Sequence, residues 1–273
     1  MVNVKTDLVS ASPTSVIVYD SVGTFPITKP ANAKFLNLDF MAGAGGGGTG
    51  RRGAALTLRG GGGGGGGGGR TRRTIDASLL PSSFYLDVGD GGLGGLGVTT
   101  DDTDGNYGVS GGPTRIYSGS DIFAIAYGGG GGFRGDSTTG GQGGGGGRGT
   151  FTGADGGRGG DGAGHGAGGS KSNCAGSGAP GGCGISAADG NESTYVGSSG
   201  PYEQAQKPNA GGLSGSDLAP IGSCASGGDY GSSAVAGGDC SSGGAGSAAS
   251  TNGSPVYAGG KGGKGRAEMS WVY

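Results

Sequence analysis

The stretch that decides the fold is Arg59-Gly60-Gly61-Gly62-Gly63-Gly64-Gly65-Gly66-Gly67-Gly68-Gly69-Arg70, ten consecutive glycines between two arginines. Each glycine costs roughly 0.5–1 kcal/mol more to order than alanine, so the run costs on the order of 5–10 kcal/mol unless something specific offsets it. Either residues 60–69 are disordered or they form a structure made of backbone alone. An extended threefold helix of the polyproline II type makes no internal hydrogen bonds and points its amides outward. Without side chains, neighbouring copies approach closely enough to exchange N–H···O=C bonds. A net contribution of about 0.5–1.5 kcal/mol per bond is comparable to the glycine penalty. Such a lattice is marginal by itself and needs a folded base to align it.

The distribution of glycine supplies that base. Of 79 glycines in 273 residues, only Gly23 lies in the first forty. Gly and Pro, 79 and 10 residues, make up about a third of the chain, a composition that by itself predicts low-complexity disorder. Hydrophobic residues are 32% and charged residues 14%, too few for a core of ordinary size. Against disorder stand strand-like segments that alternate with the glycine tracts. Residues 15–19 read as a β-strand. In residues 34–41, Leu36, Leu38 and Phe40 share one face and Asn37 and Asp39 the other. In residues 83–88, Phe84, Leu86 and Val88 oppose Tyr85 and Asp87. Residues 55–58 read as a further strand-like piece, residues 122–127 run into Gly128, and residues 266–273 place Ala267, Met269, Trp271 and Tyr273 on one face. No amphipathic helix is evident. The expected class is all-β: a small β-sandwich continuing into a bundle of polyglycine II helices with distal loops.

The net charge is −2 and the pI near 5.3, which argues against a nucleic-acid partner. Arg51, Arg52, Arg59, Arg70, Arg72 and Arg73 flank the long run, and Asp87, Asp90, Asp101, Asp102 and Asp104 follow. They are read as solvated strand ends, with pairing across the fold as the alternative. The N-terminus carries no signal-peptide pattern and no stretch approaches the length of a membrane span. Cys174, Cys183, Cys224 and Cys240 contain no C-x-x-C pair, so disulfides and free thiols both stay open. Asp102-Thr103-Asp104-Gly105-Asn106 echoes a calcium loop but has a misplaced Gly and no closing Glu, and is read as a turn. Lys261-Gly262-Gly263-Lys264 lacks the spacing and hydroxyl of a phosphate loop. With one histidine, His165, and no nucleophile pattern, the sequence predicts no enzyme, no metal site and no cofactor.

A family resemblance rests on particular segments. Residues 23–38, GTFPITKPANAKFLNL, followed by Gly43-Ala44-Gly45-Gly46-Gly47-Gly48, resemble the opening of glycine-rich domains of bacteriophage tail-fibre and virion proteins. Residues 84–92, Ala126-Tyr127-Gly128-Gly129-Gly130 and residues 262–271 resemble later strands of that family, and the likeness covers residues 15–273. It implies a virion-located fibre-tip adhesin that binds a host surface protein or glycan through loops carried on polyglycine helices. It also implies attachment to another fibre, tail or capsid protein through residues 1–22, with residues 23–273 as the glycine-rich domain. The oligomer is a homotrimer or a single copy on a trimeric fibre.

Residues 170–258 are rich in Ser, Gly, Ala and Asn, interspersed with Tyr195, Tyr202, Tyr230 and Tyr257. That composition suits a binding surface, since tyrosine offers large contact area at low entropic cost. Tyr107 is a further candidate, and half-buried tyrosines in ordinary polar loops are the alternative reading. Two other functions stand beside the adhesin. One is a structural virion component, a head fibre or tail decoration without host contact. The other is an ice-binding bundle, which needs a regular G-x-x ladder with a flat Thr or Ala face, and the sequence is read as having none.

Overall fold

A computed structural model describes residues 16–54, 57–150 and 243–273. Its strands are β1 (Val16–Tyr19), β2 (Gly23–Thr28), β3 (Phe35–Met41), β4 (Arg52–Gly53), β5 (Arg70–Asp76), β6 (Ser83–Val88), β7 (Thr114–Ser118), β8 (Asp121–Ala126), β9 (Ser250–Thr251) and β10 (Arg266–Val272). Two four-stranded antiparallel sheets, ordered β1-β10-β3-β5 and β2-β6-β7-β8, form an all-β sandwich.

The alternation in the sequence sets which side chains meet. Leu36, Leu38 and Phe40 of β3, Ile75 of β5, and Ala267, Met269 and Trp271 of β10 face Ile27, Phe84, Leu86, Val88, Ile116, Ala124 and Ala126 of the other sheet. Phe84 and Trp271 meet edge to face with centroids 6.3 Å apart. Tyr273, read as sharing the β10 inward face, lies beyond the strand and is about half exposed.

β5 escapes the apolar pattern, and an expected strand is absent at residues 57–58. β5, Arg-Thr-Arg-Arg-Thr-Ile-Asp, has only Ile75 in the core, and its other two core-side residues are polar. Thr71 Oγ1 donates to Ile125 O at 2.7 Å and Arg73 Nη1 to Phe123 O at 2.9 Å, so they tie β5 to β8 across the sheets. Thr57 and Leu58, expected in a strand before the glycine run, are in none; the strand lies after it, where β3 offers a partner edge.

Beyond the sandwich the glycine tracts among the described residues run as eight segments: g1 (42–51), g2 (60–69), g3 (89–98), g4 (104–112), g5 (127–136), g6 (139–148), g7 (243–250) and g8 (256–265). β3, β6 and β8 lead outward into g1, g3 and g5, while g2, g4 and g8 lead back into β5, β7 and β10. Segment g1 is the axis. Its N–H groups donate in rotation to three tracts. Ala42, Gly45, Gly48 and Arg51 bond g2; Gly43, Gly46 and Thr49 bond g4; Ala44 and Gly47 bond g8. Its carbonyls accept from the other three: Gly92 and Gly95 of g3, Gly129, Gly132 and Gly135 of g5, and Gly244, Ser247 and Ser250 of g7.

The six neighbours also bond one another, in the order g2, g5, g4, g3, g8, g7 and back to g2. Donor partners run antiparallel to g1 and acceptor partners parallel to it, so direction alternates around the ring. The repeat of three is the one an extended threefold backbone imposes. Segment g6 lies outside the ring, in the notch between g2 and g5, where Gly141, Gly144 and Gly147 donate to Gly61, Gly64 and Gly67.

At its axial glycines this packing has no room for side chains. A Cβ on Gly45 would stand 1.9 Å from Gly130 O, and one on Gly47 the same distance from Ala245 O. We expect Gly45→Ala or Gly47→Ala to destabilise the protein by about 3 kcal/mol or more in denaturant titration. Gly119, in the β7–β8 turn with φ +57° and open space around it, should tolerate alanine at a cost of about 1–2 kcal/mol.

The arginines next to the run are not solvated strand ends. Arg70, almost fully buried, donates from Nε and Nη2 to Asp39 at 2.7 and 2.6 Å, and Arg72 Nε donates to the same carboxylate at 2.8 Å. Burial pushes the Asp39 carboxyl up, but these two guanidinium groups outweigh it and hold it below its ordinary value of 3.8. A depressed carboxyl stabilises the fold above its unfolded pKa, and that contribution is lost as pH falls through the folded value. Asp39→Asn should therefore lower stability at neutral pH by about 1–3 kcal/mol, and the variant should lose less on acidification below pH 3.8 than the parent.

Candidate binding surface

A tract whose every third N–H turns to one neighbour, and the next to another, has only one direction in three free for a side chain at the rim of the lattice. The sequence follows that rule. In g3, Gly91-Gly92-Leu93-Gly94-Gly95-Leu96-Gly97 repeats with period three, and Gly92 and Gly95 donate to g1. In g4, Gly105, Gly108 and Gly111 donate to g5, leaving Tyr107 outward. In g8, Gly259-Gly260-Lys261-Gly262-Gly263-Lys264-Gly265 repeats likewise, with Gly259 and Gly262 donating to g3. A regular glycine ladder is thus present on three tracts, and its outward residues are Leu, Tyr and Lys rather than the Thr or Ala of an ice-binding face.

Rows from adjacent tracts lie side by side and make one surface. Leu93, Leu96, Tyr107, Val109 and Phe133 are all exposed, Leu96 to 76%. Val109 N–H donates to Leu93 O, and Asn106 Nδ2 to Leu96 O at 2.8 Å, which joins g4 to g3. Tyr107 meets Phe133 of g5 edge to face at 5.5 Å, and the Arg134 guanidinium stands 5.4 Å from the Tyr107 ring centroid. Arg134 Nη2 also lies 3.6 Å from Asp104 Oδ2, and Asp104 pairs with Arg51. Exposed apolar side chains grouped this way on a rigid support mark an interaction surface. A Tyr–Phe–Arg group is the type of cluster that carries binding energy.

At the far end of the lattice, polar side chains fasten the hairpin turns together. Arg52 donates to Thr99 O, and its Nη2 lies 2.6 Å from Asp101 Oδ1. Asp102 Oδ1 accepts from Ala54 N–H and from Asn252 Nδ2, both at 3.1 Å, while Asp102 N–H donates to Asn252 Oδ1. Asp102 adopts φ 53°. The segment read as a turn rather than a calcium loop is therefore a turn that clamps three hairpins. β4 and β9 pair parallel here. In the adjoining turn the Asp136 carboxyl is pushed up by partial burial but held low overall by Thr138 and Thr139, whose N–H groups donate to it at 2.7 Å. Among the described residues, no group of three or more His, Cys, Asp or Glu side chains is placed to hold a metal ion.

Of the residues singled out in the sequence, Tyr107 lies in this surface. Tyr257, near the far end of g8, is partly exposed and belongs to no cluster shown among the described residues. Tyr195, Tyr202 and Tyr230 lie outside the described residues. Phe133, Arg134, Leu93 and Leu96 were not read as candidates, although the GGL triplet was visible.

At the opposite end of the molecule, Lys29, Ala33, Lys34, Phe35, Asp76 and Ser78 line an open depression of about 460 Å3. Lys29 Nζ there donates to Ala77 O at 3.0 Å and Leu80 O at 2.7 Å. β1 joins the sandwich near this end, its residue Val16 pairing with Ser270.

The sequence profile of a family described as a glycine-rich domain matches residues 20–272. No curated protein matches the chain.

The Tyr107 and Phe133 side chains are exposed and take no part in the backbone lattice. The double variant Tyr107→Ala/Phe133→Ala should unfold within about 1 kcal/mol of the parent. Arg51→Ala should cost more, because it leaves Asp104 with the longer contact to Arg134 alone.

Proposed function

The chain belongs to the glycine-rich domain family, and on that footing we propose that it is a bacteriophage virion adhesin. It sits at the tip of a fibre and recognises a host-surface protein or glycan. The observation that carries this reading is the lattice itself: an axial tract bonded to six neighbours, with large side chains on its flank and at its far end. Such a body resists deformation, needs little apolar core, and presents chemistry on fixed rows. We take its tracts to be polyglycine II helices, so that ten residues rise about 31 Å.

Several features support a display role over a catalytic one. The exposed Leu93, Leu96, Tyr107, Phe133 and Arg134 offer stacking and apolar contact, whereas the charged groups of the far end are engaged with one another. The sandwich end, where β1 enters, is then the side that joins another fibre, tail or capsid protein. One copy seats on a trimeric fibre or three assemble there. The resemblance of residues 23–48 to phage fibre domains points the same way.

The competing reading is a structural virion component that never touches the host, and the lattice's stiffness favours it equally. The two separate by adsorption. Purified chain should bind host cells and compete with phage for them, and Tyr107→Ala/Phe133→Ala should weaken that binding roughly tenfold or more with folding intact. Failure of the parent chain to bind, with antibody labelling on the capsid or along the shaft, would replace the adhesin with the structural component. Binding by the parent that the double variant leaves unchanged would move the contact to another surface.

A further inference from the structure

The turns at the far end hold a dipeptide that occurs once in the sequence, Asn252-Gly253. An asparagine followed by glycine is chemically vulnerable. The main-chain nitrogen of the second residue attacks the side-chain carbonyl carbon of the first, and glycine puts no Cβ in the way. Gly253 is exposed, has φ +85°, and has nothing within 4 Å of the place a Cβ would take. Asn252 itself is held in position, since its N–H donates to Gly53 O at 2.8 Å beside the short β4–β9 pair.

Each group that takes part in such an attack already has a partner suited to it. The nucleophile, Gly253 N–H, donates to Asp101 Oδ1 at 3.2 Å. The oxygen on which negative charge would develop, Asn252 Oδ1, accepts from Asp102 N–H at 3.1 Å. The leaving nitrogen, Asn252 Nδ2, donates to Asp102 Oδ1 at 3.1 Å. Those two bonds also settle which end of the amide is which, because a carboxylate oxygen takes only a donor and an N–H only an acceptor. A carboxylate on the nucleophile and a main-chain donor on the developing oxyanion are the two aids that acyl chemistry uses most. Asp101 Oδ1 also meets Arg52 Nη2 at 2.6 Å. That contact fixes the carboxylate and tempers its basicity, so Asp101 orients the N–H as much as it draws off the proton.

We propose that Asn252-Gly253 is a self-modifying site at which Asp101 and Asp102 promote deamidation and thereby release the far-end clamp. Gly253 N gives up its proton and bonds to Asn252 Cγ, the Cγ–Nδ2 bond breaks, and the nitrogen leaves as ammonia with that proton restored to it. A five-membered succinimide remains. Water then opens it at either carbonyl, leaving aspartate or isoaspartate at position 252. The sum is amide plus water to carboxylate plus ammonia, with no change of oxidation state. The product puts a carboxylate where an amide donated to Asp102 Oδ1, so two like charges face each other in place of a hydrogen bond. Ala54 N–H, which also donates to Asp102 Oδ1, is then held by a group pushed out of place. The lattice rungs of g1 are untouched, so the change loosens the hairpin turns and leaves the body intact. The proposal rests on this geometry and holds whatever the protein binds.

Peptide mass spectrometry on the full chain, aged folded and aged unfolded in guanidinium chloride at one pH, tests it. Aspartate and isoaspartate should accumulate at position 252 roughly tenfold or more faster in the folded chain. A folded rate no faster than the unfolded one means that the clamp merely holds Asn252, and overturns the proposal. Asp101→Asn should slow the folded chain roughly tenfold and leave the unfolded rate as it was; an unchanged folded rate removes Asp101 from the chemistry. Should that variant not fold, the comparison on the parent chain decides alone. For the consequence, Asn252→Asp places the product in the turn directly. Amide exchange at Ala54 should rise roughly tenfold or more while Gly45 and Gly48 keep their protection. Unchanged exchange at Ala54 overturns the release of the clamp.

Discussion

Everything in this molecule depends on a lateral N–H···O=C bond between two chains that have no side chains at the point of contact. A Cβ placed on the axial glycines would stand about 2 Å from a neighbouring carbonyl oxygen, well inside van der Waals contact. Glycine is thus required here by distance, since only a bare Cα lets backbones come close enough to bond on all sides. The bonds are ordinary in length, near 2.9 Å. What is unusual is that they point in six directions, so that the order which apolar side chains give a common core comes here from satisfied amides. The entropy lost by the ordered residues of the tracts is offset bond by bond, and each bond that fails leaves a buried polar group behind.

A lattice of this kind has no register of its own, because every glycine is equivalent to the next three along. The sandwich breaks that degeneracy. β3 and β5 are paired from Phe35↔Asp76 to Met41↔Arg70, so g1 and g2 begin already aligned, and Ala42 N–H meets Gly69 O as the next rung. β10 fixes g8 against g1 in the same way through Arg266↔Met41. Thr114 Oγ1 bridges the seam, donating to Met41 O at 2.8 Å and accepting from Gly89 N–H at 3.1 Å. At the far end the Arg52–Asp101 and Asp102–Asn252 contacts do for the hairpin turns what the strands do at the base. Slippage by one triplet would break both ends at once, which is how repetitive sequence specifies a single structure.

The sandwich was legible wherever strands alternate cleanly, in β3, β6 and β10, because one buried face demands a period of two. β5 was not legible, since its core-side Thr71 and Arg73 do their work by bonding β8 carbonyls rather than by being apolar. Arg52 and Arg70 read as solvated because arginine is seldom buried, yet each is placed against a carboxylate distant in sequence, and distance in sequence hides such pairs. The lattice was expected from residues 60–69 alone, but its geometry was written elsewhere. Leu93 and Leu96, Tyr107, and Lys261 and Lys264 stand at the one permitted position in three. A pure glycine run carries no such mark, so the decisive stretch for the fold was the least informative about its faces.

That same arithmetic separates scaffold from surface. In a globular core, changing an outward side chain leaves its inward neighbours alone only by favourable placement, whereas along g3 and g8 the two classes are divided by position modulo three. Leu93 or Tyr107 can become any residue without meeting another tract, while Gly92 or Gly108 cannot become even alanine, their Cβ sites lying 1.8 and 2.1 Å from carbonyl oxygens. Two turns of the chain, at Gly119 and Gly253, use positive φ with open space around them and stand outside this division. The outcome is a rod whose interior is mostly glycine, with a few small residues such as Ala42, Ala44 and Ala245 among them, and whose flank carries larger side chains, with Tyr107, Phe133 and Arg134 as the present occupants. A body built in this manner can alter what it presents without altering how it folds, because the interactions that hold it together are made by atoms every residue possesses.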